Sequence, residues 1–491
     1  MTPIKFDNSY SRMPGKFYAR VKSNAVSRPE LIRVNSKLAD ELGIDAEWLV
    51  SDEGIGMMAG CLMPDGAEPI ASVYAGHQFG HYVPQLGDGR AMLIGEIVNP
   101  ANLRFDIQLK GSGPTPYSRG GDGRSPLGPV LREYIVSEAM YYLGIPTTRS
   151  LGAVLTGDKV KREKEMPGAI LTRVASSHIR IGTHQYFAAH GDFESLACLV
   201  DHVVDRHYPE SKESQEYVVE MLGSVIARQA DLIAKWQLVG FVHGVMNTDN
   251  MLLSGETVDY GPCAFIDAYD EYAVYSSIDR GGRYAYRNQP GICHWNLACL
   301  AQSLLPIIGN DKDKALESLE KALALFPDLY ARSYQKYARS KFGLATEEKD
   351  DTDLFEEFFD LLSREKDDFT LAFRRLSDIS IENGGACGVG NLFQFSSLYH
   401  DWIERWKDRC RREDTAVQNR QRLMYSVNPI YIPRNHIVEK VISVATDDSD
   451  YCPFNELVET LSQPYVQRPG LEYYATPPTD DEIVSRTFCG T

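Results

Sequence analysis

The stretch HGVMNTDNMLLSGETVDYG, His243 to Gly261, holds the residue types that metal-assisted chemistry on a phosphate ester needs. Asn250 offers an amide oxygen, and Asp259, nine residues further on, offers a carboxylate. Such a pair suits a hard cation, Mg²⁺ or Mn²⁺, whose shell nucleotide phosphates and water complete. The apolar run WQLVGFV leads into the loop and MLLSGETV joins the two residues, which predicts a loop feeding a pair of strands whose ends meet at one cation. Taken alone, the same residues also suit a turn in which Asp and Asn satisfy local backbone groups.

Upstream segments favour the chemical reading. QLGDGRAMLIGE, residues 85–96, places Gly87 and Gly89 in a strand-turn-strand, followed by Arg90; glycines there let backbone N–H groups approach phosphate oxygens. A third glycine of the G-x-G-x-x-G pattern is missing, since Met92 holds its place. Lys110 ends the strand-like IQLK, and Glu133 sits on a segment of helical periodicity, an arrangement that aims an ammonium at nucleotide phosphates in protein kinases. Glycine turn, strand Lys with helix Glu, and metal Asn with Asp occur in the kinase order, so a kinase-like fold is predicted. One residue breaks the pattern: where the kinase catalytic loop H-R-D-x-x-x-x-N has its Asp base, this chain has Val245. Two segments have no counterpart in ordinary kinases. GSGPTPYSRGGDGRSPLG carries Arg119, Asp122 and Arg124 directly after the Lys, and LTRVASSHIRIG carries Arg173, His178 and Arg180. Their guanidiniums suit bidentate contacts to phosphate, or to the chain's own carboxylates.

The elements that must position these groups divide the chain. AMLIGEIV, RFDIQLKG and GAILTRVA are short apolar runs bounded by Gly, Pro or Asn and read as strands, with PVLREYIVSEAMYYL as a helix among them. KVKREKE, residues 159–165, reads as a solvated charged turn. From about residue 193, FESLACLVDHVVDRHY, YVVEMLGSVIARQADLIAKWQLVG, ALESLEKALALF and DLFEEFFDLLSREKDDFTLAFRRL are amphipathic and helical. The prediction is an α+β, bilobal, kinase-like chain. A small β-rich lobe with its leading segment occupies 1–190, and a larger helical lobe occupies 191–491, ending in a tail laid on that lobe.

Composition narrows the partners. The 491 residues carry 43% apolar and 24% charged side chains, ordinary for globular domains. Fifty-one basic against 68 acidic residues give a charge of −17, which argues against nucleic acid but leaves room for a small phosphate ligand in a locally basic cleft. The opening MTPIKFDNSYSRMPGKFYAR lacks a signal- or transit-peptide pattern, and LACLAQSLLPIIG is too short to span a bilayer, so a cytoplasmic protein with no membrane partner is expected. Nine cysteines with no C-x-x-C pair argue against a disulfide framework or a structural zinc site.

Taken together, YAGHQFGHYVPQLGDGRA, QLKGSGPTPYSRGGDGR, LTRVASSHIRIGTH, HGVMNTDNM with DYGP, and NPIYIPRNH resemble the selenoprotein O family, called YdiU in bacteria, over nearly the whole chain. Cys489, third from the C-terminus, lies where many eukaryotic members place selenocysteine. The resemblance implies a kinase-like fold that binds ATP in a flipped orientation and transfers AMP, or UMP from UTP in some bacterial members, to Ser, Thr or Tyr hydroxyls of proteins. Gly87, Gly89, Arg90, Lys110, Asp122, Gly123, Arg173 and Arg180 would then hold the inverted phosphates. Glu133 would orient Lys110, Asn250 and Asp259 would bind the metal, and Asp249 would accept the proton. The family pattern also implies a redox bridge, for which Cys263 is the one candidate partner of Cys489 between the D-Y-G and about Arg287. A monomer is expected. A conventional kinase using Asp249 as base and a catalytically silent nucleotide-binding scaffold remain as alternatives; retention of Lys110, Glu133, Asn250 and Asp259 together argues against the scaffold.

Overall fold

The computed structural model describes residues 4–22, 24–379 and 392–488. Its leading half is built on one antiparallel sheet of nine strands, in the order β1-β3-β5-β6-β9-β8-β2. The strands are β1 (Tyr18–Arg20), β2 (Glu30–Val34), β3 (Ile70–Gln78), β4 (His81–Gly87), β5 (Ala91–Val98), β6 (Arg104–Lys110), β7 (Ser125–Pro126), β8 (Arg149–Lys161) and β9 (Glu165–Ala175). β4 pairs with β3, and β7 with β9.

Register and pleat decide which side chains share a face. In β6–β9, Gln108 lies opposite Arg173 and Lys110 opposite Leu171. Because side chains alternate along a strand, Gln108, Lys110 and Arg173 project from one face, while Ile107 and Leu109 project from the other. The second face is closed by α1 (Ser36–Leu42), α2 (Ala46–Leu49) and α3 (Asp52–Met58), whose Leu38, Leu42, Leu49 and Met57 pack with Ile107 and Leu109. Asn35 and Ser51 cap α1 and α3 by accepting from Leu38 N and Gly54 N.

The first face receives α4 (Leu127–Tyr142), the helix of Glu133. Its sequence periodicity predicts one apolar stripe, yet the structure buries it nearly all round. A second layer accounts for this: after α5 to α14, the chain returns as α15 (Asn435–Asp447) and α16 (Cys452–Leu461). Leu131, Tyr134 and Ile135 of α4 share a cluster with Ala169 and Leu171 of the sheet, Ile437 and Val441 of α15, and Phe454 and Leu457 of α16. Burial of each such side chain is worth about 1.5–3 kcal/mol, so packing on both sides fixes the Glu133 backbone. Glu138 adds polar fixation, accepting from Arg149 Nε and Nη2 at 2.9 and 2.8 Å and from Ser150 N at 2.9 Å.

The trailing half is helical, so the mixed α+β class expected from the sequence is observed. It contains α5 (Ile181–Ala189), α6 (Phe193–His207), α7 (Tyr217–Val239), a short pair β10 (Phe241–Val242) and β11 (Ala264–Phe265), α8 (Gln289–Leu304), α9 (Lys312–Ala324) and α10 (Phe326–Phe342). Then follow α11 (Asp351–Glu365), α12 (Phe369–Asp378), α13 (His400–Arg411) and α14 (Val417–Val427). The run read as DLFEEFFDLLSREKDDFTLAFRRL is two helices: Lys366 turns left-handed at φ 55°, and Asp368 caps α12 by accepting from Leu371 N. The core is continuous between the halves, since one cluster joins Tyr10, Phe17, Ile70 and Val73 to Leu199, Leu222, Ile233 and Leu297.

The tail packs on both α4 and residues of the trailing half. Tyr474 and Ala475 join the α4–α15–α16 cluster, and Thr487 reaches the segment after Gly261, pairing with Ser276 and donating through Oγ1 to Pro262 O at 2.7 Å. Among the described residues no helix is long and apolar enough to cross a membrane.

Candidate functional site

A cleft of about 660 Å³ lies where the β3–β4–β5 edge and the 111–124 loop meet the 245–259 loop. It is lined by Gly87, Gly89, Arg90, Lys110, Asp122, Gly123, Arg173, Arg180, Asp249, Asn250 and Asp259, all singled out in the sequence, whereas His178 lies outside the lining and pairs with Asp106 at 3.0 Å. Six arginines and Lys110 face four aspartates there, a local positive excess in a chain of charge −17.

Its floor is a buried charge relay. Lys110 Nζ donates to Glu133 Oε2 and to Asp259 Oδ1, both at 2.5 Å. Arg173 Nε donates to the other Glu133 oxygen at 2.7 Å, and its Nη1 to Gln108 Oε1 at 3.1 Å. Glu133 therefore holds two cations that the sheet register had already placed on one face. Burial works to raise the Glu133 carboxyl, but Arg173 and Lys110 overcome it and hold it below the usual range. At Asp259 burial is likewise overcome, by Lys110, Arg90 and Arg173, and the carboxyl is held far below the usual range. Asp259 also has φ 67°, a left-handed conformation that Asp tolerates better than most residues.

The 243–250 loop is pinned to the tip of β3. His243 Nε2 pairs with Val258 O at 2.9 Å, joining the two ends of the motif. Thr248 Oγ1 accepts from His77 N at 2.7 Å, and Asn247 Oδ1 accepts from Phe79 N at 3.1 Å. Asp249 Oδ2 accepts from Gln78 Nε2 at 3.2 Å, and Oδ1 is buried without a hydrogen-bond partner among the described residues. Burial pushes the Asp249 carboxyl up to about 6, with Arg180 opposing. Arg180, at the start of α5, donates to Asp249 O at 2.7 Å and lies 4.6 Å over the Tyr74 ring. Asn250 Nδ2 donates to Val245 O at 3.0 Å, which leaves its amide oxygen as the ligand atom.

Asn250 and Asp259 provide two hard oxygens to the cleft lining. This donor set fits a Mg²⁺- or Mn²⁺-type ion that keeps phosphate and water ligands. Among the described residues no group of three or more His, Cys, Asp and Glu side chains is placed to hold a metal ion.

The 111–124 loop covers the glycine turn in a way the sequence did not reveal. Thr115 Oγ1 donates to Asp88 O at 2.7 Å, Ser118 Oγ donates to Gly89 O, and Gly111 N donates to Arg90 O at 2.7 Å. A Cβ added at Gly87 would lie 2.3 Å from the Tyr117 ring, so that glycine is needed for the loop to close. Gly123 has φ 63°, and its added Cβ would lie 2.1 Å from Gly113 O. Asp122 lines the cleft, and its carboxylate accepts from Arg162 Nη1 at 2.8 Å and from Arg124 N at 3.0 Å. Arg162, from the turn read as solvated, thereby lines the cleft. Thr115, Tyr117, Ser118 and Arg162 were legible only as polar loop composition.

Of the expected redox pair, Cys263 is buried, and burial pushes its thiol up to about 12, with Arg132 opposing. Cys489 lies outside the described residues.

The chain is 52% identical over 486 residues to a protein nucleotidyltransferase YdiU of Bradyrhizobium diazoefficiens, covering 99% of each chain. It is 52% identical over 492 residues to the protein of the same name in Rhizobium meliloti, covering 100% of each. The family described as protein adenylyltransferase SelO matches residues 1–462, and the chain belongs to that family, whose fold is kinase-like.

Proposed function

We propose that this protein moves a nucleoside monophosphate, AMP from ATP or UMP from UTP, onto Ser, Thr or Tyr hydroxyls of other proteins, with pyrophosphate leaving. The observation that carries this reading is the pairing of Val245 with a buried carboxyl at Asp249. The loop position that serves γ-phosphoryl transfer has no proton acceptor, whereas four residues on a carboxyl poised near neutrality enters the same cleft.

With the nucleotide reversed, the α-phosphorus faces Asp249. The acceptor oxygen forms a bond to that phosphorus, the bond to the bridging oxygen of the β-phosphate breaks, and the hydroxyl proton passes to Asp249. Arg173, Arg180, Arg90 and Lys110 neutralise the β- and γ-phosphates as charge grows on the pyrophosphate. Asp122 and Gly123 of the 111–124 loop stand with these groups at the phosphates, Asp122 also pairing with Arg162. Glu133 positions Lys110 and Arg173 rather than touching substrate. Asn250 and Asp259 would hold a divalent cation, which when bound supplies charge neutralisation at the phosphates.

Product identification tests the reading. Incubation with ATP, Mg²⁺ or Mn²⁺ and a mixed protein acceptor should yield pyrophosphate and acceptors heavier by one AMP. ADP with phosphorylated acceptor would reverse the assignment in favour of a kinase with Asp249 as base.

A further inference from the structure

Beside Asp249 the cleft opens onto a surface that none of the nucleotide-handling groups uses. Gln78, whose amide reaches Asp249, is followed at the hairpin tip by Phe79, which lines the cleft with a left-handed backbone at φ 52°. An aromatic residue in that region costs of order 1–3 kcal/mol and persists only where its surroundings hold it. Here Asn247 Oδ1 and Tyr284 OH both accept from Phe79 N, at 3.1 and 3.2 Å. The strain sits at the mouth of the cleft.

Around this tip the surface is aromatic and cationic. His77 lies 5.0 Å from the Tyr82 ring and 5.1 Å, edge-on, from Trp295. Gln185 Nε2 donates to His77 Nδ1 at 2.9 Å, fixing the ring between them. Tyr82 and Trp295 are 40% and 36% exposed, and Ile278, in the cleft lining with Phe79, is 59% exposed. Arg283 stacks its guanidinium 4.8 Å over Trp295, and its Nε is buried with no hydrogen-bond partner among the described residues. No carboxylate forms an ion pair with it among the described residues: nearby Asp279 instead accepts from the backbone N–H groups of Arg283 and Tyr284, at 3.0 and 2.7 Å. Arg283 also hydrogen-bonds the Tyr284 side chain, and being only half-buried it keeps guanidinium N–H donors with no carboxylate partner among the described residues, which suits a carboxylate from outside.

We propose that this platform recognises the acceptor: a protein segment that carries a carboxylate for Arg283 and an apolar side chain for the Trp295–Tyr82–Ile278 surface, next to the hydroxyl presented to Asp249. The inference rests on the nucleotidyl-transfer reading above and adds the sequence class of its substrate. Stacking on Trp295 leaves the edge of the guanidinium, with its N–H donors, for a bidentate carboxylate, while the exposed rings supply rigid contact area of the kind that dominates protein recognition.

The test uses the full chain, ATP labelled at the α-phosphate, and two synthetic peptides with a central Ser: one flanked by Glu and Leu, the other by Lys and Gly. A mixed protein acceptor is run in parallel. Wild type should label the Glu/Leu peptide at least about tenfold more efficiently, as expected for the loss of one charge-assisted pair and one apolar anchor. Arg283→Glu should reverse the charge preference, and Trp295→Ala should raise the peptide KM, both with the wild-type KM for ATP. Equal labelling of the two peptides by wild type, or an unchanged preference in Arg283→Glu, overturns the platform while the labelled mixed acceptor keeps the transfer reading intact. A change in the KM for ATP alone would assign the surface to the nucleobase and likewise overturn it. Absence of label from every acceptor, the mixed protein included, would instead sink the transfer reading and this inference with it.

Discussion

Replacing Glu133 by Gln keeps the shape of the side chain and removes the one charge that holds two cations in place. Its contacts with Lys110 and Arg173, at 2.5 and 2.7 Å, each correspond to about 6 kcal/mol of Coulomb energy at an effective dielectric of about 20. Desolvation of the buried charges offsets most of this, and removing one partner of such a cluster costs about 3–5 kcal/mol. The free protein should lose stability on that scale, read as a lower denaturation midpoint. The nucleotide changes the balance. Lys110 and Arg173 against Glu133 and Asp259 sum to zero, and the variant leaves the floor at +1, so phosphate binding is not weakened electrostatically. What is lost is aim, since the amide has one acceptor oxygen for two donors, and either Lys110 or Arg173 meets its NH₂ instead. Misplacement of a catalytic contact by about 1 Å can cost on the order of 100-fold in rate. Initial rates of α-label transfer against ATP concentration should therefore show kcat down on the order of 100-fold and KM within about threefold of wild type. A variant with wild-type kcat, or with a raised KM and intact kcat, would refute the positioning role.

Other perturbations follow from the same geometry. Asp259→Asn keeps a residue that accepts the left-handed backbone at φ 67° but removes the ionised ligand; transfer should fall below detection while circular dichroism stays native. Gly87→Ala would place a Cβ 2.3 Å from the Tyr117 ring and 2.8 Å from Ser72 O, so the 111–124 loop must lift, and the KM for ATP should rise at least about tenfold with kcat less affected. Lys341 is buried against Phe373, and burial lowers its ammonium to about 7; the unfolded chain therefore holds the extra proton between about pH 7 and 10.5, and stability in that window should rise with pH. Lys341→Met should be more stable than wild type at pH 7, by an amount that shrinks as the pH approaches 10, measured by urea denaturation across that range.

The sequence made the groups that meet at the cleft legible where they depend on short spacing. Lys110 on β6, Glu133 on α4 and the Asn250–Asp259 pair were each identifiable because strand ends, a helical period and a loop motif are local signals. What holds Glu133 in place was not. The cover over α4 comes from residues 435–461, some 300 positions later, and an apolar helix face does not name the surface that will meet it. Arg434 illustrates the point. It lies in NPIYIPRNH as one more basic residue, yet it is fully buried and pairs with Asp267 at 2.6 Å and Asp368 at 2.8 Å, locking the start of α15 to the segment after the D-Y-G. Tyr117 and Arg162 escaped notice for the opposite reason, because loop residues carry no period and their contacts follow from the closure of the 111–124 loop over Gly87. The stretch around Cys489 resembles the family end, but that residue lies outside the described structure.

The central claim is that the α-phosphorus, not the γ, is the electrophile in this cleft. Two reactions with the same protein, metal and mixed protein acceptor, one with ATP labelled at the α-phosphate and one at the γ-phosphate, address it directly. Label on the acceptor from the α position alone is the predicted result. Label from the γ position would contradict the reversed nucleotide and make Asp249 the base of a kinase.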